Sequence, residues 1–137
     1  MPYTIYKLGW ALEDGPGISS HFAQGTYLTH YPQGVRVENP TQPMFAFRDL
    51  SAASVAFQTT TGRDSTQVLQ IWRGKASSFA TVPYPFYIPA TLAPQEWKRF
   101  WELYLANQLY KWRSVERGYA PRGTIFCPDI TLLERVL

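Results

Sequence analysis

The sequence predicts an α+β domain: a small twisted, mostly antiparallel sheet with two helices, the longer at about 94–112. Three observations predict it. Short alternating apolar runs recur along the chain, which is the period of half-buried strands. Two separated helical patterns interrupt them, without a regular strand–helix repeat. The chain has 137 residues, 45% hydrophobic and 17% charged, which fits one ordinary globular domain rather than a disordered chain. We therefore expect a single domain over 1–137, with 77–123 as a proline- and aromatic-rich insertion carrying the main helix.

Residues 3–10 alternate well enough for a first strand, and 13–20 read as a turn-rich loop around Gly15-Pro16-Gly17. Residues 25–31 are β-rich, and Pro32-Gln33-Gly34 turns the chain into a short strand at 35–38. Asn39-Pro40 and Gln42-Pro43 break it before the apolar strand Met44–Phe47. Asp49 or Ser51 can cap a helix over roughly 50–59, with Leu50, Ala53, Val55 and Phe57 as its apolar contacts. Residues 67–76 form the clearest strand.

Residues 77–94 hold Pro83, Pro85, Pro89 and Pro94 with Tyr84, Phe86, Tyr87 and Ile88 among them. A central strand does not tolerate that proline density, so an extended strap on the core is expected. Pro94 opens the main helix. Trp97, Trp101, Leu105, Leu109 and Trp112 follow one stripe at helical spacing, widened by Phe100 and Tyr104. A basic loop at 113–123 leads to closing strands at 124–127 and 130–137.

The composition narrows the chemistry. The net charge is +3, distributed as −1 over residues 1–68 and +4 over 69–137. Nucleic-acid domains show denser Lys/Arg clusters, so nucleic acid ranks below other partners. Cys127 is the single cysteine, which excludes an internal disulfide and fits a reducing compartment; packed between Phe126 and Pro128 it reads as a small hydrophobe. His21 and His30 share no ligand spacing with it, so no metal is expected. No phosphate-binding glycine loop is present, and no cofactor is expected. Without a leader-like start or a long apolar run, the expectation is a cytoplasmic protein with no membrane partner.

The aromatic surplus, 16% of residues, is the strongest positive feature. The wide stripe at 97–112 is a core helix, an oligomer or partner interface, or a pocket that stacks a base. As an interface it would comprise Tyr84, Phe86, Trp97, Trp101, Tyr104 and Trp112, with Arg113 and Arg117 as polar anchors.

The order of pieces also resembles a family of small uncharacterised bacterial and bacteriophage proteins. The resemblance rests on Tyr6-Lys7, Gly25-Thr26-Tyr27, Met44–Phe47, Asp49–Ala53, Val68–Trp72 and the close Ile130–Val136, covering 3–76 and 124–137. It implies a phage or prophage origin and no defined activity. The segment Gly25–Thr29 followed by the Ala-rich helix at 49–57 resembles part of the ADP-ribosyltransferase fold. That resemblance implies Tyr27 stacked on nicotinamide, with a first-strand Arg or His, where this chain has Lys7, and a late acid, for which Glu134 stands. The expected function is a non-catalytic binding protein engaging a host or phage protein, or itself as a homo-oligomer, through the aromatic helix and loop. The alternative is an ADP-ribosyltransferase-like or nucleotide-ligand-binding domain using Tyr27, His21 and Glu134.

Overall fold

The computed structural model describes residues 2–20, 29–39, 42–59, 68–82, 86–89, 94–112 and 117–137. The expected class is what forms: α+β, with two helices against an antiparallel sheet. The strands are β1 (Tyr3–Ala11), β2 (Gly17–Ser20), β3 (His30–Pro32), β4 (Arg36–Glu38), β5 (Met44–Phe47), β6 (Leu69–Ala76), β7 (Ala80–Thr81), β8 (Tyr87–Pro89), β9 (Arg117–Tyr119), β10 (Thr124–Cys127) and β11 (Asp129–Arg135). The helices are α1 (Leu50–Thr59) and α2 (Pro94–Leu105), with a 3-10 turn at Leu109–Lys111.

The main sheet runs β4-β11-β6-β1-β5-β10-β7, with β2 on β1 and β3 on β2. Strands β8 and β9 form a separate pair. One edge of β1 is filled end to end by β6, from Tyr3 to Trp10. The other edge is divided: Tyr6 pairs with Phe47 of β5, while Gly9–Ala11 pair with Ser20–Ile18 of β2. The sheet therefore forks at Lys7 and Leu8. The β2 branch curls back, because the turn after β3 bonds to β11: Gly34 N–H donates to the Leu132 carbonyl at 2.8 Å and Gln33 Nε2 to the Leu133 carbonyl at 2.8 Å. Inside the curl lie Ile5, Ile18, Tyr31, Ile130 and Leu132, all buried.

Several sequence expectations change. The loop expected at 13–20 contains β2, whose serines hid its strand character. Leu50 and Val55 of α1 point outward, 39% and 61% exposed, while Ala53 and Ala56 face the sheet. Small side chains let this helix sit close: a Cβ on Gly123 would come within 2.7 Å of the Ala52 Cβ. The strap and basic loop contribute β8 and β9, so part of each is paired strand.

The main helix stops at Leu105 instead of running to 112. Asn107 adopts a positive φ of 56°. Its N–H donates to the Tyr104 carbonyl at 3.0 Å, and the Gln108 N–H to the Leu103 carbonyl at 2.8 Å. This is the paired hydrogen bonding that ends a helix on a left-handed residue, a position asparagine tolerates.

Candidate functional site

The aromatic residues resolve first. Trp97, Phe100, Trp101 and Trp112 are buried, at 6% exposure or less, in one cluster with Ile88, Ala120 and Phe126. Phe86 and Tyr104 pack against the same cluster. Trp101 lies 4.9 Å from Phe100, 5.5 Å from Phe126 and 5.7 Å from Phe45, ring centre to ring centre. These tilted and edge-on contacts are those of a packed interior. The interface expected of Phe86, Trp97, Trp101, Tyr104 and Trp112 thus meets internal partners, because α2 turns its stripe onto β5 and β10. Large apolar side chains left outside include Leu105, Tyr110, Tyr119 and Tyr87.

Tyr84, Arg113, His21 and Tyr27 lie outside the described residues. Arg117 opens β9, its backbone opposite Pro89. Glu134 stands on β11 with its carboxylate on Arg73 at 2.8 Å, 58% exposed, and does not line the crevice described next.

That crevice occupies the fork of the sheet. Lys7, Ser20, Thr29, Tyr31, Gln42 and Thr124 supply its polar lining, and Leu8, Met44, Phe45, Phe47, Ile88 and Trp101 much of its apolar wall. The cavity measures about 50 Å³, room for a few waters at roughly 10–15 Å³ each. Lys7 is carried inward with Ile5 by the two-residue period of β1, and is only 5% exposed. Its Nζ donates to the Phe45 carbonyl at 2.5 Å and lies 5.1 Å from the centre of the Tyr31 ring. Among the described residues no carboxylate lies within ion-pair distance of it. Burial lowers the ammonium from 10.5 to about 8, against a weaker opposing influence from Cys127.

Gln42 is 7% exposed, and its Oε1 is buried without a hydrogen-bond partner. Such an orphaned acceptor is costly in a folded protein. Tyr31 is held protonated, chiefly by burial, with its phenol tied toward Thr29 and Ser20. Ser20 is itself fixed: its Oγ donates to the Thr29 carbonyl at 3.2 Å and accepts from the Thr29 N–H at 2.8 Å. Thr124 Oγ1 donates to the Pro121 carbonyl at 2.6 Å. The frame is ordered, while one donor group and one acceptor inside it stay under-used.

Sequence reasoning brought in Lys7 as part of the opening strand shared with the bacterial and bacteriophage family and as a departure from the transferase pattern, and gave no site role to Tyr31 or Gln42. The readable signal was a lysine in phase with Ile5 on a strand otherwise apolar on that face. Gln42, between Pro40 and Pro43, read as a strand breaker.

Comparison with known proteins found no matching family model, no matching curated protein and no matching solved structure. Among the described residues no group of three or more His, Cys, Asp or Glu is placed to hold a metal ion, and no helix is long and apolar enough to cross a membrane.

Proposed function

We propose that this chain is a non-catalytic binding protein that takes a small polar ligand, or the polar end of a nucleotide-like one, into the crevice at the fork of the sheet. A buried lysine without a carboxylate beside it among the described residues, in one crevice with Gln42, whose buried side-chain oxygen has no partner, carries the reading. Buried charges and polar groups are normally paired, and perturbed groups in a cleft mark binding sites. The ligand places an oxygen on Lys7 Nζ and a hydrogen on Gln42 Oε1. Ser20, Thr29 and Tyr31 set its orientation, and Trp101 and Phe45 exclude water. Native mass spectrometry of the freshly purified protein tests this. Wild type is expected to carry added mass that Lys7→Met and Gln42→Leu both lack. Identical bare masses for all three, with no thermal shift from a small-metabolite panel, would remove the reading.

A second observation supports a protein partner of host, phage or self type. A groove of about 560 Å³ separates α1 from β9 and the residues after it, lined by Val55, Ala52, Tyr119, Pro121 and Arg122. Val55 and Tyr119 are 61% and 55% exposed, an uncovered apolar pair beside a polar rim. Tyr119→Ser is expected to abolish association measured by analytical ultracentrifugation or pull-down while leaving the crevice ligand in place.

A further inference from the structure

We propose that Lys7 holds its ligand covalently, its Nζ condensing with an aldehyde or ketone carbonyl inside the crevice to form an imine. The proposal rests on the crevice being the ligand site and names the reacting group of that ligand. Three features of the site converge on it.

First, the nitrogen is buried and lacks a counter-charge. Leu8, Phe45 and Trp101 line the crevice with it, and among the described residues no carboxylate lies within ion-pair distance. A lysine desolvated in an apolar pocket is the setting in which an amine becomes a nucleophile. The lowered ammonium, about 8, leaves a far larger neutral fraction near neutral pH than an exposed lysine has.

Second, the nitrogen is held in place. Its hydrogen bond to the Phe45 carbonyl uses one N–H, which a neutral amine can also donate.

Third, a residue lining the same crevice has an unused hydrogen-bond acceptor. The Nζ lone pair attacks the carbonyl carbon, a C–N bond forms, and the carbonyl π pair moves to oxygen. One proton passes from nitrogen to that oxygen, giving a carbinolamine. Its new O–H needs a buried acceptor, and Gln42 Oε1 is one without a partner. Breaking the C–O bond then expels water, which carries away the oxygen and both hydrogens of the amine, and a C=N bond remains. The sum is amine plus carbonyl giving imine plus water, with no oxidant or reductant. The cavity of about 50 Å³ admits a short carbonyl compound or the carbonyl end of a longer one.

The chain carries its own controls. Its four lysines are Lys7, Lys75, Lys98 and Lys111, and Lys98 and Lys111 are exposed. The intact protein is treated with propanal and cyanoborohydride near neutral pH, digested and mapped. Propylation of Lys7 is expected to be about tenfold faster than that of Lys98 or Lys111. Gln42→Leu is expected to slow Lys7 alone. In protein that carries no retained mass, Lys7 reacting no faster than Lys98 overturns the proposal. Borohydride fixation of the purified protein before denaturation separates it from the broader reading. Retained mass that survives denaturation and maps to Lys7 supports capture. Retained mass that denaturation releases even after fixation overturns capture while the non-covalent ligand site stands. Absence of retained mass together with an unreactive Lys7 overturns capture, and overturns the ligand site as well when no thermal shift follows from the metabolite panel.

Discussion

Lys7 is an expensive residue to fold around. Moving its ammonium from 10.5 to about 8 corresponds to roughly 3 kcal/mol at 1.36 per pH unit. Its hydrogen bond to Phe45, made by a charged donor at neutral pH, returns about 1.5–3 kcal/mol. Lys7→Met, of similar shape and without charge, is therefore expected to leave stability unchanged or raise it by up to about 2 kcal/mol at neutral pH. The sign with pH follows from which state holds the proton. Below about 8 both folded and unfolded chains are protonated, and the penalty is fully present. Between about 8 and 10.5 only the unfolded chain keeps the proton, so wild type gains stability relative to Lys7→Met as pH rises through that window. The Cys127 thiol, pushed by burial from 9.0 to about 12, acts in the opposite sense above pH 9, but in both proteins. Urea midpoints of the two proteins at neutral and at alkaline pH check this. A Lys7→Met protein less stable at neutral pH would make Lys7 a structural anchor and weaken the ligand reading. A residue that costs stability and lines a cavity is what a stability–function compromise looks like. The sequence made the inward phase of Lys7 readable. It held no sign that no carboxylate would come opposite, because that depends on strands distant in the chain.

At the scale of elements, α2 shows which parts of a pattern can be read locally. The spacing of Trp97, Phe100 and Trp101 gave the helix and its apolar face, and those rings are buried together. The end of the helix was missed because the stripe continues past it: Leu109 and Trp112 keep the spacing, but Asn107 has already turned the chain. Trp112 still reaches Phe100 at 5.4 Å, because the 3-10 turn returns it to the same cluster. Trp101→Ala is expected to lower stability by about 3–5 kcal/mol, the range for emptying a packed aromatic site. Since Trp101 also walls the crevice, retained ligand should fall with it. Denaturation curves and sedimentation decide the matter. Unchanged stability with lost self-association would return the stripe to the role of an interface.

At the scale of the molecule, the crevice exists because one strand edge is shared by two others. Sequence patterning supplied most of the strands, and could not supply this sharing. β2 is short and half serine, and the pairings of β1 with β5 and β6 join residues far apart in the chain. Gly9 is where the fork is decided, since a Cβ there would run into the Ser19 carbonyl and the Ile18 side chain. Gly9→Ala must therefore push β2 away from β1, at a cost of about 1–3 kcal/mol for an overpacked contact. Displacing β2 carries Ser20 away from Lys7 and admits water to the nitrogen. Lys7 should then titrate closer to 10.5 and lose its advantage over Lys98 in reductive alkylation. Gly34→Ala is the matched control. Gly34 has a φ of 80°, and a Cβ there would meet nothing within 4 Å, so the substitution strains the turn after β3 while its Cβ clashes with no part of the fork. Comparable destabilisation of the two variants, with Lys7 reactivity lost only in Gly9→Ala, would tie the chemistry of the lysine to the division of the β1 edge. Equal reactivity in both would mean that Lys7 owes its environment to the elements around the crevice other than β2, and that β2 is scaffolding.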